Sequence, residues 1–197
     1  LWTASEKPAF AFDDRVHLHE VIAEVLAKLE KNFADKNIQV ENHVPNTLPA
    51  LSVDKPKFYR LFELLLKDEI VSLPAGSKVT LSAQLAAAGF DQATEIEVEV
   101  RDNGPGLPQD ALRMLFDPFA SRNDSPMEYG INLMACFFIV HHHCGKIEAR
   151  SESGSGTTFT LRLPTDPNQR PAIDENRDFL HKILLNERLW EKLITAD

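Results

Sequence analysis

Chemistry is concentrated in the stretch VEVRDNGPGLP, from Val98 to Pro108. A run alternating apolar and polar residues stops at Asp102, and Gly104 and Gly106 follow, separated by a proline. A carboxylate at a strand end accepts a hydrogen bond from an amine, and a backbone without Cβ atoms lets a ligand approach closely. The pattern D-x-G-x-G also describes an ordinary turn, so its company matters. LFDPF, YGINL and GSGTTF follow it in that order. A second candidate is HHHC, His141 to Cys144, since imidazole and thiolate are good zinc ligands. Neighbouring residues on a helix point in different directions, however, so a polar helix terminus is expected instead, with histidines near the negative end of the dipole.

These residues need elements to position them. Apolar residues at Leu18, Val21, Ile22, Val25, Leu26 and Leu29 have helical spacing and predict a first helix from His17 to about Phe33, after an extended FAFD segment. NIQVENHV alternates as a strand, and PNTLPAL reads as a proline-rich loop. Pro56 suits the first turn of a second helix that runs to about Leu73, where PAGS ends it. KVTLSAQLAA and TEIEVEVRD predict a hairpin across AGFDQA. A third helix begins near Gly130 and ends at the histidines. KIEARSES and TFTLRLP form a second hairpin across a glycine-rich turn. This order predicts an α+β two-layer sandwich, with helices on one face of a mixed, largely antiparallel sheet. TDPNQRPA then reads as a linker, and 174–196 as a C-terminal amphipathic helix whose apolar side includes Phe179, Ile183, Leu184, Trp190 and Leu193. Left in water those residues would form a large patch, so the tail is expected to cover apolar surface of the domain.

Composition narrows the function. A chain of 197 residues, 43% hydrophobic and 26% charged, suffices for one domain with a real core. With 21 basic and 30 acidic residues, a net charge of -9 and no basic cluster, nucleic acid is an unexpected partner. The longest apolar run, Ile131 to Val140, falls well short of the ~20 residues that cross a bilayer, and no membrane contact is expected from this stretch of chain. Cys136 and Cys144 are separated by roughly 12 Å along one helix, beyond the ~7 Å reach of a disulfide. Reduced thiols and a cytoplasmic location are expected.

The ordered motifs and elements together resemble the catalytic, ATP-binding domain of sensor histidine kinases, in the GHKL ATPase superfamily. The resemblance covers about residues 8–164 and implies a domain over 1–165, with 166–197 as linker and helical extension. It implies ATP and Mg²⁺ as cofactors. It also implies that Asp102 binds the adenine amino group in a pocket shaped by Gly104 and Gly106, with Gly156 and Thr157 or Thr158 nearby. Phe116 and Phe119 correspond to the phenylalanine box, and Gly130 and Leu133 to the G-x-G-L motif after the ATP lid. HLHE at His17 to Glu20 lacks the basic, hydroxyl and proline residues of a phosphoacceptor helix and matches the first helix of the ATP domain instead. Glu63 stands one residue before the position of the general base in ATP-hydrolysing relatives and is expected to be solvated or capping.

The second helix departs from the family. It reads FELLLKDEIVSL where N-L-L-x-N-A-x-K-[YF] is typical, so Leu64, Asp68, Glu69, Val71 and Ser72 replace asparagine, the Mg²⁺-binding asparagine, alanine, lysine and an aromatic. Asn132 replaces a lid glycine. A lost lysine removes a charge-assisted phosphate contact of roughly 1.5–3 kcal/mol. Each added carboxylate near a triphosphate costs ~4 kcal/mol for a close pair at an effective dielectric of ~20. Asp68 still offers a hard oxygen ligand to Mg²⁺. The expectation is an eroded phosphate side, an intact adenine side, weak or Mg²⁺-dependent nucleotide binding, and little or no kinase activity. One alternative is an active autokinase domain with Asp68 as metal ligand. Another is a nucleotide-free docking module. Expected partners are the phosphoacceptor domain of the parent kinase and a response regulator or another kinase.

Overall fold

The computed structural model describes residues 10–88, 93–113 and 129–166. The phenylalanine box and the C-terminal helix lie outside them.

In chain order the elements are β1 (Asp14–Val16), α1 (Leu18–Asp35), β2 (Gln39–His43), β3 (Leu51–Val53), α2 (Lys55–Ser72), β4 (Lys78–Ala88), β5 (Ala93–Asp102), α3 (Gln109–Arg113), α4 (Tyr129–His142), β6 (Lys146–Glu152) and β7 (Gly156–Pro164). An open five-stranded sheet has the order β2-β4-β5-β7-β6, in which β2 runs parallel to β4 and every other pair is antiparallel. The expected sandwich and both hairpins are therefore present. Alternation separates the faces of the sheet. Val79, Leu81, Ile96, Val98, Val100, Phe159, Leu161 and Leu163 are buried on one side. Across the other, Arg162 pairs with Glu95 and Glu97, and Gln84 bonds Glu97.

The helices cover the apolar face, with α2 packed between α1 and α4. Phe58, Leu61, Phe62, Leu65 and Leu66 make α2 the centre of the core. Asp54 caps its first turn, accepting from the Lys57 N–H, with Pro56 in the position where a missing N–H costs nothing. The Lys36 ammonium bonds the Ile70 and Val71 carbonyls, a cation at the negative end of that helix.

Two features differ from expectation. The loop ending in Leu51 carries β3, which pairs with β1 in a small antiparallel ribbon. Each has only three residues, too few for alternation to stand out. The three histidines at the end of α4 are not a cationic terminus. His143 accepts the Asp54 N–H at Nε2 and meets the Ile139 carbonyl at Nδ1, which makes it a neutral bridge from α4 to the cap of α2. His142 stacks on Phe10 with ring centroids 4.3 Å apart. Burial, reinforced by His141, His143 and Lys57, pushes His142 down to about 4. Burial also lowers His143, against the Ile139 bond and Asp54.

These histidines predict an acid limb in stability. An unfolded histidine takes up its proton near 6.5, whereas the folded protein holds His142 neutral until about 4. Stability is therefore lost as pH falls from about 6.5 through about 4, because the unfolded chain binds the additional proton. Allowing for partial exposure, the loss from His142 is about 1–2 kcal/mol. Urea titrations at stepped pH should show this limb, and His142→Phe, which keeps a ring against Phe10, should flatten it.

Candidate functional site

The end of β5 carries the site. Asp102 is 4% exposed, and both its carboxylate oxygens are engaged. Oδ1 accepts the Gly104 N–H at 2.6 Å and Oδ2 accepts the Thr157 N–H at 2.9 Å. One side chain thus fixes the loop after β5 to the start of β7. Asn103 closes the neighbouring strand end: its Oδ1 accepts the Lys78 N–H at 2.7 Å.

Glycine is required in this turn for reasons internal to the chain. Gly156 has a φ of +84°, and a Cβ there would stand 2.2 Å from the Asp102 carbonyl oxygen. Gly106 has a φ of +73°, and a Cβ would stand 2.2 Å from the Glu152 carbonyl oxygen. The close approach read from the sequence is therefore, at both positions, an approach of the chain to itself. Ser151, which sequence reasoning passed over, completes the joint. Its hydroxyl accepts the Leu107 N–H at 2.7 Å, donates to the Gly156 carbonyl at 3.0 Å and lies 3.1 Å from the Thr157 hydroxyl. The signal was available: Ser151 falls on the buried face of β6, in phase with Ile147 and Ala149.

A cleft of about 60 Å³ opens between this joint and the C-terminal half of α2, bounded among others by Asp68, Glu69, Asp102, Gly106 and Thr157. It is far smaller than the ~300–1,000 Å³ of a typical ligand site. Thr157 lines it, while Thr158 lies next along β7, paired in register with Arg101 and Arg150. Gly130 lies in the first turn of α4. Leu133 packs in the hydrophobic core and does not line the cleft, and the same holds for Leu64. Val71 is 41% exposed.

The carboxyl groups behave differently from one another. Glu69 is 2% exposed and borders the cleft together with Asp68 and Asp102. Burial, with Asp102 and Asp68 adding to it, pushes its carboxyl well above the ordinary value. A carboxyl raised in this way repels a phosphate less than an ordinary carboxylate does. Asp68 is 5% exposed and supplies the carboxylate oxygen that Mg²⁺ favours. Among the described residues no three His, Cys, Asp or Glu side chains converge to hold a metal by themselves.

Glu63 is neither solvated nor capping. It is 2% exposed, facing Lys28 at 2.9 Å, Arg60 at 2.8 Å and Lys67 at 2.8 Å. Burial raises its carboxyl, but the hydrogen bonds from Lys67, Lys28 and Arg60 outweigh that and bring it to about 2. The cluster ties α1 to α2 and is absent from the cleft lining. Glu63→Ala should cost about 3 kcal/mol in urea unfolding, because it strands cations around a buried position, while leaving ligand binding at the cleft unchanged.

Comparison with known proteins places this geometry. Residues 53–167 match the family described as histidine kinase-, DNA gyrase B-, and HSP90-like ATPases. The adaptive-response sensory kinase SasA of Synechococcus elongatus is 32% identical over 157 residues, covering 76% of this chain and 39% of that protein. The C4-dicarboxylate transport sensor protein DctS of Rhodobacter capsulatus is 28% identical, over 79% of this chain and 23% of that protein. The chain thus spans about two fifths of SasA or less of such relatives. Among solved structures, the catalytic domain of histidine kinase ThkA superposes with a TM-score of 0.68 at 21% identity, over 82% of this chain and 99% of that one. Full-length ShkA in complex with AMPPNP gives 0.66 at 20% identity, over 83% of this chain and 34% of that one. With the family model matching 53–167 and the fold shared with the solved histidine kinase domains, the chain belongs to the histidine kinase-, DNA gyrase B- and HSP90-like ATPase family, as an ATP-binding domain of the sensor histidine kinase type.

Proposed function

We propose that this domain serves two-component signalling by holding adenine nucleotide weakly and in an Mg²⁺-dependent manner, with little or no phosphotransfer of its own. The observation that carries the reading is the cleft: about 60 Å³, with Asp68 and Glu69 side chains beside Asp102 where the family has asparagine and alanine. Asp102, Gly104, Gly106, Gly156 and Thr157 form the adenine end. Asp68 would hold Mg²⁺ through one carboxylate together with phosphate oxygens, the usual coordination of this ion; bound there, the metal would neutralise charge on the phosphates. Without it Asp68 repels them. The ATP-binding domain ends after β7, and 166–197 acts as a separate linker and extension. The partners are the phosphoacceptor domain of a parent kinase and a response regulator or second kinase; ThkA has been solved with the response regulator TrrA.

One observation favours a second reading. Asp68 borders the cleft as a hard oxygen donor, which would permit an active autokinase domain once Mg²⁺ is bound. Calorimetric titration with ATP, ADP and adenosine, each with Mg²⁺ and with EDTA, separates the two when joined to a phosphotransfer assay. Weak ATP binding that is lost in EDTA, without transfer to an acceptor histidine, is the expected outcome. Micromolar ATP affinity unchanged by EDTA would overturn it, and rapid transfer would establish the second reading.

A further inference from the structure

The position of Glu69 is unexplained by packing alone. It is 2% exposed, and its Oε2 has no hydrogen-bond partner. A buried polar atom without a partner costs about 1–3 kcal/mol, so an unpaired oxygen on a residue that lines a cleft points to a group that enters the cleft. Asp102 stands at the same cleft, with each of its oxygens already accepting one backbone N–H and keeping one further lone pair. Two carboxyl-bearing residues from different elements, Glu69 on α2 and Asp102 at the end of β5, therefore line one small space. A primary aromatic amine has two N–H donors, directed about 120° apart in the plane of its ring. One acceptor satisfies half of it.

We propose that Glu69 is a second specificity-determining residue, which accepts the N–H of a 6-aminopurine that Asp102 leaves unpaired. The inference rests on the adenine end proposed above. A carboxyl oxygen accepts such a bond in either protonation state, so the assignment stands on placement. Its consequence is selectivity for an unsubstituted exocyclic amine: a methyl group on that nitrogen removes one donor and adds bulk where the cleft has no room. A base with a carbonyl at the same place offers no N–H there and sets its oxygen against the acceptor oxygens of Asp102.

The test is calorimetric titration of the whole chain with adenosine, N6-methyladenosine and inosine. The wild type should bind adenosine more than tenfold tighter than N6-methyladenosine, and inosine weaker still. Glu69→Ala should bring the adenosine to N6-methyladenosine ratio to within threefold, and Glu69→Gln, which keeps an oxygen acceptor, should hold it near the wild-type value. An unchanged ratio in Glu69→Ala would overturn the proposal, as would equal binding of the two nucleosides by the wild type or no binding of adenosine at any concentration reached. Tight, metal-independent ATP binding with the ratio behaving as expected would instead overturn the weak-nucleotide reading and leave Glu69 in this role.

Discussion

Asp102→Asn should abolish adenine-nucleotide binding, with affinity falling at least a hundredfold, and should also lower the melting temperature. The loop should feel this change as well, because the Asp102 oxygens hold the Gly104 N–H at 2.6 Å and the Thr157 N–H at 2.9 Å. An asparagine keeps one acceptor and turns an amide donor toward the other N–H. With Asp102 only 4% exposed, water cannot repair the mismatch, and a buried unsatisfied donor costs about 1–3 kcal/mol. Adenosine titration and thermal melting on the same samples separate the two effects. A lower melting temperature with unchanged adenosine affinity would show that Asp102 is only a staple between β5 and β7.

Restoring family residues on the phosphate side should act in the opposite direction. The combination Asp68→Asn, Val71→Lys and Asn132→Gly is expected to tighten ATP binding by more than tenfold, roughly 1.4 kcal/mol. Val71 is 41% exposed near the end of α2, so a lysine there keeps its stem in solvent and its ammonium free to reach a phosphate. Such a contact is charge-assisted and contributes roughly 1.5–3 kcal/mol. Asp68→Asn removes a repulsion of ~4 kcal/mol for a close pair at an effective dielectric of ~20. Because Mg²⁺ screens that repulsion in the parent chain, the gain should be larger in EDTA than with metal. Glu69 is left in place, since it belongs to the adenine end proposed above and burial raises its carboxyl well above the ordinary value. Adenosine affinity should stay within threefold. Equal gains for ATP and adenosine would mean that the altered residues are not confined to the phosphate side.

Local pattern carried most of the fold. Val79, Leu81, Ile96, Val98, Val100, Phe159, Leu161 and Leu163 alternate with polar residues, and a period of two both makes a strand and assigns its buried face. The same holds for α1, where a 3.6-residue period places Leu18, Val21, Ile22, Val25 and Leu29 on one buried stripe. β1 and β3 escaped because three residues cannot display a period, and their pairing, Asp14 with Val53, joins positions far apart in the chain.

The sequence by itself determined the backbone of the site: Asp102 must end a strand, and the glycines after it must turn. Those requirements are local, set by φ and by the alternation of the strand. Only the tertiary structure decided what the charged side chains do. Glu63 and Glu69 lie six residues apart on one helix with similar chemistry, yet one meets Lys28, Arg60 and Lys67 and falls to about 2, while the other meets burial and two acids and rises. Likewise the HHHC run reads as a surface terminus until Phe10 and Asp54, brought from elsewhere in the chain, bury His142 and His143. The ionisation and role of a side chain depend on which groups lie within a few ångströms, and that neighbourhood is assembled by long-range packing rather than by adjacent residues.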